Sequence, residues 1–383
     1  MTRDFPIHGF VAQGFERVRA AFEHNFTEGI EVGAGCCAIV AGKTVVDLWG
    51  GYRDRDCTQP WTEDTLVNVY STTKGVGAVA FACAVDDGRI SYDVPVRDYW
   101  PELRAGTNGL TVAQLLAHLG GLCGFREPVR VEDLYDWSVM RHRLEREDPH
   151  WQPGTAAGYH AVTWGYLAGE LVRRTTGTTL GRLVAERIAR PLEADFHLGL
   201  DDRHFDRVAS PITPKHARVQ PRDPVAPAVG PLFAVALMNP ALRPYADVCS
   251  APWRRAEIAA SNGHGTAKSL ARIYGAVASG GALEGVRVLS APTIERATRE
   301  MWNSDTDLVL GRGLRRSAGF ILNTDSMFGP RAESFGHSGA GGSTGFADPT
   351  TQLGFGYTMN QMAPGSDGET RAARLIRALY ASL

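Results

Sequence analysis

Four lysines stand among 36 arginines in this 383-residue chain, and one of them, Lys74, lies three residues after a serine in Ser71-Thr72-Thr73-Lys74. A serine hydroxyl is a weak nucleophile until a base takes its proton, and lysine supplies that base only when neutral. The stretch 75–85 that follows is small or apolar almost throughout, the pattern of a helix buried on all sides. A cation in the first turn of such a helix meets both desolvation and the positive end of the helix dipole. A neutral or tightly paired lysine escapes that cost, and beside Ser71 the neutral form is a base next to a nucleophile. Ser-Thr-Thr before an apolar run is equally a plain helix N-cap with an outward-reaching lysine. The tetrapeptide alone leaves both readings open.

Two further segments carry polar groups at chain turns. Pro153-Gly154-Thr155-Ala156-Ala157-Gly158-Tyr159-His160-Ala161 is a glycine-rich turn that delivers a tyrosine before a helix. Phe335-Gly336-His337-Ser338-Gly339-Ala340-Gly341-Gly342 is a strand running into a glycine cluster. Each alone is weak, since such tyrosines mostly pack and such glycines mostly turn the chain. Gly341-Gly342-Ser343-Thr344-Gly345 also fits the Gly-x-Ser-x-Gly pattern, which exposes its serine only on a strand-to-helix elbow. The residues after it, 346–352, read as a strand end and a turn, so Ser343 is set aside as a nucleophile. His118, His160 and His264 are isolated and read first as packing or hydrogen-bonding residues.

The elements that would position these groups follow from periodicity. Residues 10–27 carry apolar positions at helical spacing, and 36–40 with 45–49 read as a β-hairpin. Strands are expected at 319–322, 333–337 and 354–359, and an amphipathic helix at 370–383. Between the two ends the pattern turns helical, at 75–87, 112–119, 132–146, 162–175, 180–189 and 267–278, with Thr111 and Thr266 as caps. Residues 211–252 hold nine of the 21 prolines and read as a wrapping loop or a lid over a cleft. The resulting organisation is a discontinuous sheet domain (1–70 and 280–383) with a mainly helical domain (71–279) inserted. A cleft is expected where the two meet.

Composition narrows the function. Net charge is −2 and 44% of residues are apolar, with no basic block to track a phosphate backbone, so nucleic acid is not an expected partner. The N-terminal residues lack an apolar leader core and no run approaches a membrane span. A cytoplasmic protein without a membrane partner is expected. The six cysteines show no metal spacing and read as reduced and mostly core. No metal or organic cofactor is expected, and oligomeric state is not legible.

Taken together, in this order and at these separations, the segments resemble the serine β-lactamase and penicillin-binding-protein superfamily, with its Ser-x-x-Lys, Tyr-x-Asn and Lys-Thr-Gly. The resemblance covers nearly the whole chain. It includes Thr111-Val112-Ala113-Gln114-Leu115-Leu116-Ala117-His118-Leu119-Gly120-Gly121-Leu122, and 259–265 resembles the esterase branch called family VIII carboxylesterases. It implies an α+β, β-lactamase-like fold with an antiparallel sheet built from both chain ends, flanked by terminal helices. Two departures point from β-lactams to esters. Ala161 stands where β-lactamases carry asparagine, and His337 where they carry lysine; a neutral histidine offers a hydrogen bond at most.

The resemblance implies Ser71 as the nucleophile and Lys74 or Tyr159 as the general base. It also implies an oxyanion hole from the main-chain N–H groups of Ser71 and Ala340. His337, Gly339, His160, Phe125 and Trp151 are the implied substrate-binding residues. The expected activity is hydrolysis of small to medium acyl esters, with a small-molecule ester as the partner. A β-lactamase or D-amino-acid peptidase, an acyltransferase with an alcohol acceptor, and a non-catalytic relative are the alternatives.

Overall fold

The computed structural model describes residues 5–213, 229–243, 246–363 and 367–383. Residues 214–228 and 244–245 of the proline-rich stretch lie outside the described residues. The first strands are β1 (Ile7–Val11), β2 (Gly33–Val40) and β3 (Lys43–Gly51). The short strands β4 (Val67–Asn68), β5 (Phe196–His197) and β6 (His264–Gly265) form a small separate sheet, and β7 (Ala282–Leu283) and β8 (Val286–Arg287) a hairpin. The last five are β9 (Arg315–Arg316), β10 (Ile321–Leu322), β11 (Phe335–Ser338), β12 (Thr344–Asp348) and β13 (Leu353–Met359). The main sheet has eight strands in the order β1-β3-β2-β13-β12-β11-β10-β9. It is antiparallel throughout and draws its strands from both chain ends, as expected.

Both faces of this sheet are covered, which is why β2 is apolar along its whole length rather than alternating. Successive side chains on a strand point to opposite faces. Cys36 and Ala38 therefore enter the core under the helices Glu16–Thr27 and Asp367–Tyr380. Cys37 and Ile39 enter the core under Thr72–Asp86 and Ala267–Ala278. None of the six cysteines forms a disulfide. Helix Ala267–Ala278 lies almost on the sheet backbone, where a Cβ at Gly354 would sit 2.1 Å from Gly275 N. Thr111 and Thr266 cap their helices as read, accepting from Gln114 N at 3.3 Å and Ser269 N at 3.0 Å.

Two element readings are corrected. Phe10 and Val11 lie not in the first helix but in edge strand β1, opposite Asp47 and Val46, because main-chain pairing with β3 outweighs their helical spacing. The run 132–146 is not one helix but a short turn, Val131–Tyr135, followed by the helix Trp137–Arg146. Asp136 breaks it, its Oδ1 accepting from Ser138 N at 2.9 Å and Val139 N at 3.2 Å as the cap of the second piece. No helix of the described residues is long and apolar enough to cross a membrane.

Candidate active site

Ser71 stands at the N-cap of the buried helix Thr72–Asp86, after a Tyr70 held at φ 46°, a left-handed conformation that is uncommon for a tyrosine. Hydrogen bonds hold that turn on both sides. Tyr70 O accepts from Thr73 N at 3.0 Å and from Thr73 Oγ1 at 2.5 Å, and Thr73 Oγ1 in turn accepts from Gly263 N at 2.9 Å. On the sheet side, Ser343 Oγ donates to Val69 O at 2.8 Å, and Thr72 Oγ1 donates to Ser343 O at 3.1 Å. A side chain at Gly339 would place Cβ 2.2 Å from Val69 O; glycine alone lets β11 come this close to the serine turn.

Ser343 itself is fully buried, with its hydroxyl committed to the turn. Ser343→Ala is expected to cost about 1–2 kcal/mol of stability while leaving most ester turnover in place. Urea unfolding and a rate assay on the same preparation check this, and loss of turnover without loss of stability would contradict it.

Lys74 is completely buried, with Nζ 2.8 Å from both Ala161 O and Ala260 O and 3.2 Å from Ser71 Oγ. Ala260 lies in a turn fixed by Asn262, whose Oδ1 accepts from Ile258 N and whose Nδ2 donates to Trp253 O and Ala256 O. Burial, and secondarily the Arg316 charge, hold the Lys74 ammonium well below its usual pKa. The Tyr159 ring lies 4.7 Å from Nζ, and the neighbouring Ser71 hydroxyl favours its ionised form, against the larger effect of burial. Burial pushes the Tyr159 phenol up, so its proton is retained at neutral pH.

The histidines around this group are neutral. His337 is buried beside Tyr159 at 6.1 Å between ring centres, and burial lowers it to about 3. Its Nδ1 donates to Ser338 O at 2.7 Å, while Nε2 meets no partner among the described residues. His160 is fully buried and also lowered to about 3 by burial. Its Nδ1 donates to Gly158 O at 2.6 Å and its Nε2 accepts from Leu122 N at 3.0 Å, so both ring nitrogens brace the tyrosine turn. His118 Nδ1 accepts from His160 N at 3.0 Å. His264 is fully buried in β6.

Around Tyr159 lies an apolar cluster of Cys123, Ala161, Ala236 and Val309, with Trp151, Leu232 and Val235 partly buried against it. Trp151 meets His160 edge-on at 5.8 Å. Phe125 is not in this cluster but in the main core, its carbonyl accepting from Asn239 Nδ2 at 2.8 Å. The short helix Phe233–Leu237 of the proline-rich stretch supplies part of the wall. Gly339 follows β11, and Ala340 is exposed at the start of the turn that comes next.

Ser71, Lys74, Tyr159 and His337 are thus brought together. Asp307 and Arg316, which also touch this group, have no motif to mark them; Arg316 is one of 36 arginines. Among the described residues no cluster of His, Cys, Asp and Glu could hold a metal ion.

A helix that starts at a serine, a lysine buried beneath it, and a strand followed by glycine at its flank thus meet at one place. The Beta-lactamase family model matches residues 18–380, and the chain belongs to that family of serine hydrolases. It is 35% identical over 381 residues to the Esterase/beta-lactamase LipL of Mycobacterium tuberculosis, covering 93% of this chain and 83% of the relative. The crystal structure of a family VIII carboxylesterase superposes with a TM-score of 0.92 at 43% identity, over 99% of this chain and 100% of the other. A penicillin-binding protein homolog from Caulobacter crescentus superposes with a TM-score of 0.90 at 42% identity, with the same coverage.

Proposed function

We propose that the protein is a carboxylesterase that cleaves small to medium acyl esters through an acyl-enzyme on Ser71. The observation that carries this is the set of partners around Lys74. A neutral amine has two N–H groups and one lone pair. The carbonyls of Ala161 and Ala260 accept the two N–H groups, which leaves the lone pair for the third neighbour, Ser71 Oγ. No carboxylate partners Lys74 among the described residues to hold it as a cation. Ser71 Oγ attacks the acyl carbon as Lys74 takes its proton, and the Tyr159 hydroxyl passes a proton to the departing alkoxide. In the second half the pair deprotonates water, which releases the acid. The main-chain N–H groups of Ser71 and Ala340 stabilise the oxyanion in both halves.

The same surroundings disfavour a β-lactam substrate. Neutral, buried His337 contributes no charge to hold a carboxylate. Gly339 and His337 would instead flank an uncharged ester, with Trp151 on the acyl side. The similarity to a family VIII carboxylesterase and to LipL supports the ester reading.

The test is the turnover of p-nitrophenyl acetate, butyrate and octanoate beside that of a chromogenic cephalosporin. Ester hydrolysis with little cephalosporin cleavage is expected, and the three esters rank acyl length. Cephalosporin cleavage at a rate matching the best ester would overturn the substrate class. Adding an alcohol and measuring ester exchange separates hydrolysis from acyl transfer.

A further inference from the structure

Arg316 and Asp307 form an ion pair against Tyr159, with Nη2 to Oδ2 at 2.5 Å and both side chains at most 2% exposed. Buried pairs of this kind contribute little net stability, because desolvation offsets the attraction. The position of this one is therefore the informative feature. Asp307 Oδ1 accepts from Tyr159 N at 3.1 Å and from Val309 N and Leu310 N at 2.9 Å each, so the carboxylate fixes the tyrosine main chain. The Arg316 guanidinium carbon lies 5.7 Å from the Tyr159 ring centre. Its Nε and Nη1 have no partner among the described residues, so the carboxylate on Nη2 is the counter-charge the structure provides.

The other groups facing the reacting pair carry no charge. His118, His160 and His337 are all neutral through burial, and buried Tyr274 keeps its proton. His337 also occupies the place where the resembling β-lactamases keep a lysine. Arg316 is then the permanent cation nearest the Lys74–Tyr159 pair among the described residues.

We propose that Arg316, anchored by Asp307, is a positioning residue that sets the proton balance of the Lys74–Tyr159 pair, supplying from behind the tyrosine the positive field that His337 does not. A fixed cation disfavours a second cation on Lys74 and favours negative charge on Tyr159. It acts in that direction on both groups. Asp307 opposes it weakly at Tyr159 while holding it in place. The proposal rests on the reading of Ser71, Lys74 and Tyr159 as the reacting groups.

The test is the pH profile of kcat/KM for p-nitrophenyl butyrate between pH 5 and 10. Arg316→Met removes the cation and keeps most of the volume. Its acidic limb is expected to move up by about one pH unit, giving roughly tenfold lower activity below the limb and recovery above it. Asp307→Asn keeps an oxygen for the three N–H groups but removes the counter-charge, and its limb is expected to move down. Arg316→Lys keeps the charge and the wild-type limb. A purely structural pair lowers rates in all three variants without moving the limb, or moves the first two the same way, and either result overturns the proposal.

Should Arg316→Met fail to fold, the downward shift in Asp307→Asn supports the proposal and an unmoved limb there overturns it. Ser71→Ala, run alongside, separates the two levels. Its inactivity at every pH upholds the site even if the limbs do not move, whereas wild-type rates in Ser71→Ala overturn the site reading itself.

Discussion

Ser71→Ala should remove ester turnover almost entirely, with kcat falling by about 10⁴-fold or more. Among the described residues the serine oxygen is the hydroxyl hydrogen-bonded to Lys74 Nζ, at 3.2 Å. Ser343, the other serine in a glycine-flanked pattern, is fully buried and hydrogen-bonded to Val69 O. An active-site phosphonate should therefore label the wild-type protein at Ser71 alone, with no adduct on Ser343 by peptide mass. Retention of more than about a tenth of the activity in Ser71→Ala would remove the nucleophile assignment, because among the described residues no other serine is hydrogen-bonded to Lys74.

Lys74→Met is expected to lower kcat/KM by about 10²–10⁴-fold, the range for losing a general base. The variant also reports on the proton state of the lysine through stability. Burial holds the folded-state pKa of Lys74 well below 10.5, so between those two values the unfolded chain binds a proton that the folded chain lacks. Wild-type stability must then rise with pH across that window through this group. The methionine variant lacks that contribution. The stability of Lys74→Met relative to wild type should therefore fall steadily as pH is raised from 7 toward 10. The two carbonyls left without a donor, Ala161 O and Ala260 O, shift the whole difference by a constant and leave its slope untouched. A difference that does not change with pH would mean that Lys74 is protonated in the folded protein.

The parts of the candidate site legible in the sequence are those where chemistry and local structure coincide in a few consecutive residues. Ser71 and Lys74 share the first turn of one helix, and the apolar run after them states that helix and its burial at once. Tyr159 was marked by the glycines that bend the chain around it. The antiparallel sheet from both ends was legible because β2, β3 and β13 are short apolar runs bounded by turns. Asp307 and Arg316 were not, because a buried ion pair leaves no periodic trace; two polar residues in an irregular segment look the same paired or solvated. Phe10, Val11 and Asp136 show the same limit at the level of elements. There a tertiary pairing or a single cap decided the outcome over the local pattern. Phe125 packs in the main core rather than in the cluster around Tyr159, and aromatic type alone does not say which of two adjacent clusters a ring enters.

The pairing of β2 with β13 has a consequence for how the molecule comes into being. Val40 pairs with Leu353, so roughly 310 residues separate partners at the centre of the sheet. At about 5–20 residues per second on the ribosome, that interval lasts about 15–60 s. Throughout it the N-terminal hairpin, with β2 paired to β3 on one side, leaves the other edge of an apolar strand bare. Until β13 is made, a newborn chain thus carries an open strand edge of the kind that aggregates grow from.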